Sequence, residues 1–98
     1  MSKAEKKIKQ LRRQVDRADR MLMKALGARL KAVRKIGQIK IANDLPLLQK
    51  ARWSEVIAKR LAIAERLGLH ADFTHALYSL IHKEALRIQK NMAKAKKR

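Results

Sequence analysis

The sequence predicts an all-α protein with one long helix and two shorter ones, assembled as a helical homodimer with the long helices packed lengthwise. Three observations carry this. The first 42 residues contain no proline and only two glycines, Gly27 and Gly37. Apolar side chains recur throughout at helical spacing, with no alternating runs that would read as strands. The apolar stripe of the first segment is too long for the remainder of a 98-residue chain to cover, so a second copy is needed.

The first helix opens on Ser2-Lys3-Ala4-Glu5, the pattern of a capping box in which Ser2 accepts an amide proton and Glu5 reaches back. It extends to about Ala42, roughly 60 Å for some 40 residues, and the two glycines cost about 1 kcal/mol each relative to alanine. Asn43-Asp44-Leu45-Pro46 breaks it, because Pro46 disfavours helical geometry at Leu45. A second helix is expected from about Leu48 to Leu67, with Val56, Ile57, Leu61 and Ala64 on its buried side and Gly68 as a left-handed terminator. The third starts near Ala71 or Asp72 and carries Phe73, Leu77, Leu80, Ile81 and Ile88 inward. The lysine-rich end, about residues 91–98, is expected to fray. The whole chain, 1–98, reads as a single helical domain.

Composition bounds the chemistry. There is no cysteine, hence no disulfide and no thiolate metal site. No stretch approaches the roughly 18 apolar residues of a membrane span, and Met1 to Lys7 lacks the apolar core of a secretory signal. A cytoplasmic protein is expected. His70, His75 and His82 show no three- or four-residue spacing that would pair two ligands on a helix, so no metal is expected and the histidines read as solvated.

The net charge of +18 is extreme for this length and by itself favours a polyanion, either nucleic acid or an anionic membrane. The cations read as spread over the whole chain instead of forming one stripe. Only Trp53, Phe73 and Tyr78 are aromatic, too few for a ladder of stacked bases. Acids are scarce, leaving Glu5–Lys9, Asp16–Arg20 and Glu55–Lys59 as the candidate ion pairs four residues apart.

At about 100° per residue, Leu11, Val15, Ala18, Leu22, Leu26, Val33 and Ile36 share one face of the first helix. Arg29 and Lys40 fall within that stripe and Arg12 at its edge. A cation withdrawn from water needs a counter-charge, and no acid of this helix lies deep in the stripe. The simplest anion is a small carboxylate ligand. Snorkelling of the long stems to water is the plain alternative.

The residues so placed resemble a known group. Leu11-Arg12-Arg13-Gln14-Val15-Asp16 is similar to the opening pattern of the all-helical chorismate mutases, and Arg29, Lys40, Arg52 and Gln89 follow at that family's separations without a gap. Leu48-Gln49-Lys50-Ala51-Arg52-Trp53 and the segment from Ile81 to Gln89 resemble one branch of it. The resemblance covers about residues 5–90. It implies an intertwined dimer with two sites, each completed by an arginine of the other chain, and the cofactor-free rearrangement of chorismate to prephenate.

Under that resemblance Arg29, and Arg12 from the partner, hold the two substrate carboxylates. The forked guanidinium suits them. Lys40 and the Gln89 amide meet the ether oxygen, Arg52 adds positive potential, and Gln49 meets the substrate hydroxyl. Lys40, Gln89 and Arg29 are the expected catalytic residues. Two positions depart from the common pattern: Ala85 stands where many relatives have a serine, and Trp53 where others have a glutamate near the substrate hydroxyl. Two rival readings are an isochorismate pyruvate lyase using a similar cationic pocket and, from another class, a basic helical nucleic-acid-binding protein.

Overall fold

The computed structural model describes residues 1–97 and contains three helices in the order α1 (Lys3–Ala42), α2 (Lys50–Leu67) and α3 (Ala71–Lys97). No strand occurs among the described residues. The chain forms two compact units, Met1–Ala32 and the segment from Val33 onward.

The first unit is the amino-terminal part of α1. The Ser2 hydroxyl accepts the Glu5 amide proton at 3.1 Å, which is one half of the expected box. The apolar stripe of this segment is open: Val15 is 57% and Leu22 53% exposed, and Ile8 and Leu11 are exposed as well. Burying an aliphatic side chain of this size contributes about 1.5–3 kcal/mol, so the stripe holds unrealised stabilisation. Of the three ion pairs anticipated from spacing, Glu55–Lys59 closes, at 2.9 Å. Glu5–Lys9 and Asp16–Arg20 form no ion pair among the described residues.

The second unit holds the core. Val56 and Ala64 of α2 and Ile88 of α3 are buried, with Ile57, Leu61, Leu77 and Ile81 partly so. Thr74 is buried too, its hydroxyl donating to the His70 carbonyl at 2.9 Å, which removes the cost of an unpaired polar group. Phe73 and Leu80, expected inside, are 57% and 66% exposed. The buried face of α3 is rotated toward Thr74. Trp53 of α2 stacks on His82 of α3, with ring centroids 4.3 Å apart and an interplanar angle of 25°, and meets His75 edge-on at 6.5 Å. His82 is therefore part of the α2–α3 packing instead of solvated.

Both interhelical turns reverse the chain in the same way. After α2, Gly68 is left-handed (φ 73°) and the Leu69 amide donates to the Ala64 carbonyl at 2.8 Å, a Schellman closure. After α1, Asp44 takes the left-handed place (φ 53°) and the Leu45 amide donates to the Lys40 carbonyl at 2.8 Å. A non-glycine residue there costs on the order of 1 kcal/mol. The Asn43 side-chain amide offsets it in part by donating to the Ile39 carbonyl at 2.8 Å. α2 begins at Lys50, two residues later than expected, with Gln49 extended at its N-cap. α3 continues to Lys97, helical through the residues expected to fray up to that point; Arg98 lies outside the described residues.

Candidate active site

The turn after α1 sets the position of Lys40. The closure at Asp44 and the rigid Pro46 bring the chain back along the last turn of α1. The Leu47 carbonyl thereby accepts the Lys40 ammonium at 2.8 Å. Lys40 is half-buried, and loss of hydration lowers its pKa from the ordinary lysine value. One of its three N–H groups is used by Leu47.

Gln89 reaches the same segment of α1 from α3. It is 4% exposed, and its amide nitrogen donates to the Val33 carbonyl at 2.9 Å. The close approach depends on Gly37. A Cβ built there would lie 2.9 Å from Gln89 Cγ and 3.3 Å from Met92 Cε, inside contact distance. Absence of a side chain at 37 thus lets a buried amide sit on α1 one turn before Lys40. Buried polar groups are paired because an unpaired one costs about 1–3 kcal/mol. The Val33 carbonyl meets that need, and the second amide proton remains for another acceptor.

A cleft of about 500 Å³ adjoins Lys40, lined by Ile41, Asp44, Leu45, Leu47, Ala93, Lys96 and Lys97. Lys96 and Lys97 belong to the lysine-rich end expected to fray, yet they line the same cleft as Lys40. The signal existed in the spacing. Lys96 follows Gln89 by two helical turns and shares its face of α3.

The other expected site residues have the following surroundings. Arg52 pairs with Glu55 at 2.9 Å on the exposed side of α2. The Glu55 carboxyl is held below its ordinary pKa, first by the hydrogen bond from Lys59 and then by the charges of Lys59 and Arg52. Gln49 makes no side-chain capping bond, and its carbonyl accepts the Trp53 amide at 3.1 Å. Arg29 is half-buried and Arg12 exposed; both belong to the Met1–Ala32 unit. Trp53 serves packing through its stack on His82. Ala85, partly buried, has no hydroxyl to offer. Among the described residues no group of three histidine, cysteine or acidic side chains is arranged to hold a metal, and no helix is long and apolar enough to cross a membrane.

The arrangement in the second unit is a half-buried ammonium and a buried amide on one stretch of α1, with further lysines at the mouth of the adjoining cleft. Chemically this can bind an anion and donate hydrogen bonds to an oxygen gaining charge.

Comparison with known proteins identifies the family. Over 75 residues the chain is 31% identical to the T-protein of Enterobacter agglomerans, covering 76% of this chain and 20% of that protein. Over 79 residues it is 32% identical to the 4-amino-4-deoxychorismate mutase of Streptomyces pristinaespiralis, covering 81% of this chain and 61% of that protein. The chain thus spans about a fifth of the length of one curated relative and about three fifths of the other. No solved structure matches it significantly. Residues 11–90 match the family described as chorismate mutase type II, and with most of its length inside that match the chain belongs to the type II chorismate mutases.

Proposed function

We propose that this protein catalyses the rearrangement of chorismate to prephenate as a cytoplasmic homodimer. The observation that carries the reading is the buried Gln89 amide held over Gly37, one turn from Lys40 on the same helix. The reaction is concerted, so the protein must hold the folded conformer of a dicarboxylate and stabilise charge on the ether oxygen as its C–O bond breaks. Lys40 and Gln89 are assigned to the ether oxygen, Arg29 and the partner's Arg12 to the carboxylates, with Arg52 contributing potential and Gln49 meeting the ring substituent. The open stripe of Ile8, Leu11, Val15 and Leu22 is assigned to the second chain.

Chorismate consumption by purified protein tests the reading. Gln89→Ala should lower turnover by about 10²–10³-fold, the cost typical of one lost donor to a developing oxyanion; Arg29→Ala, which removes a bidentate carboxylate contact, should remove most of kcat/KM, in both cases with helical content retained. Product identity separates the rivals: prephenate supports the mutase, whereas salicylate with pyruvate from isochorismate supports a lyase. A second substrate within the mutase reading is the 4-amino analogue. Trp53 is committed to its stack on His82 and supplies no carboxylate to the ring hydroxyl, and one relative is named for the amino compound. Comparing kcat/KM for the two substrates decides between them.

A further inference from the structure

Seven of the eleven Lys and Arg residues of the Met1–Ala32 unit fall in one row. Lys6, Lys9, Arg13, Arg17, Arg20, Lys24 and Lys31 follow one another at three- or four-residue steps, with one seven-residue step past Gly27, and all are exposed. On the continuous α1 this spacing makes a single ridge, which corrects the impression given by composition that the charge has no stripe. The ridge lies about 180° from Leu11, Val15 and Leu22 at 100° per residue. Asp16 touches its edge, and Glu5 and Asp19 fall outside it. From Lys6 to Lys31 it is about 37 Å long. None of its residues belongs to the substrate cluster assigned above, so the ridge needs an explanation of its own.

We infer that this ridge binds the phosphate backbone of double-stranded nucleic acid without regard to sequence. A row of cations spaced at about one helical turn faces a polyanion along its length, and its extent is close to one turn of a duplex, about 34–36 Å. Trp53, Phe73 and Tyr78 all lie outside α1, so the ridge has no ring on which an unpaired base could stack. An anionic membrane fits less well. An interfacial helix carries Lys and Arg on its polar face and inserts the opposite, apolar face; here that apolar face is the stripe assigned above to the second chain, which leaves the basic ridge alone at the surface. The inference rests on that assignment of the stripe and not on the mutase chemistry.

The test is anisotropy of a fluorescein-labelled duplex of about 20 base pairs with the full-length protein across a salt series. About six phosphate contacts predict an affinity that falls roughly 10³-fold between about 50 and 200 mM salt, equally for a duplex of unrelated sequence. Replacing Arg13, Arg17, Arg20 and Lys24 by glutamine keeps good helix formers. It should reduce the slope of log affinity against log salt by about 3–4. A triple glutamine variant at Lys94, Lys96 and Lys97 removes charge elsewhere and should retain most of the binding. The inference is overturned by no binding at about 50 mM salt. It is equally overturned if the tail variant loses as much as the ridge variant, or if phosphatidylserine vesicles take up the protein while the duplex does not.

Discussion

Lys40 and Gln89 are anchored to backbone carbonyls, Leu47 and Val33, at 2.8 and 2.9 Å, so neither has to be ordered anew when a substrate arrives. Lys40 carries a further consequence. Burial lowers its pKa, so its cation, the form needed at the ether oxygen, is present below that lowered value and lost as pH rises through it. A bound dicarboxylate favours the cation and moves the pKa back up. The alkaline limb of kcat/KM, which reports free enzyme, should therefore fall at lower pH than the limb of kcat. Lys40→Arg should abolish both limbs over the accessible range, since a guanidinium does not deprotonate there; limbs unchanged in that variant would remove Lys40 from the assignment. Lys40 stands out in the sequence as a cation inside an apolar stripe, whereas Gln89 reads by itself as a surface glutamine and is singled out only by the family's separations. Spacing offers Glu55 to Lys59, and the additional capture of Arg52 by the same carboxylate depends on rotamers. The Trp53–His82 stack was not legible, since it depends on how α2 and α3 are rotated against each other.

At the scale of elements, the three helices and both breaks follow from local signals: Ser2 at the start, Pro46 after α1, Gly68 after α2. The burial on α3 does not, because Phe73 and Leu80 are apolar yet lie off the face that α2 occupies. A single-chain periodicity cannot say which of two apolar faces meets a neighbour and which awaits a second copy. The two helix-interior glycines show the same limit. Gly37 and Gly27 look alike in sequence, but only Gly37 has heavy atoms within 4 Å of a built Cβ. Gly27→Ala should thus stabilise the protein by about 1 kcal/mol with turnover unchanged. Gly37→Ala gains the same propensity but forces Gln89 and Met92 aside, an overpacking cost of about 1–3 kcal/mol. Its net effect should be destabilising by roughly 0–2 kcal/mol, with turnover reduced because the Gln89 amide is displaced. Thermal unfolding and chorismate kinetics on the two variants provide the measurement, and equal behaviour of both would show that Gly37 is not the seat of Gln89.

For the whole molecule the question is what completes it. The exposed stripe from Ile8 to Leu22 runs along a helix that carries Arg12 at its edge, so the surface assigned to the second chain is the one that would deliver that arginine. With Arg12 assigned to the neighbouring chain's site in a twofold dimer, each site would depend on both chains, which yields a quantitative expectation. Arg12→Ala and Gln89→Ala homodimers should both be nearly inactive. Unfolded together and refolded as an equal mixture, they form heterodimers in which one site collects both lesions and the other has neither. With half the dimers mixed and one sound site in each, recovered activity should approach roughly a quarter of the parent value. If Arg12 acts within its own chain, both sites of every heterodimer keep one lesion and no activity returns. Leu22→Glu separates assembly from chemistry. A charge in the middle of the stripe should shift the protein toward monomer in sedimentation and remove turnover, although Leu22 is assigned no contact with substrate. Retained turnover in a monomer would mean that one chain suffices, and the assignment of Arg12 to its neighbour would fail with it.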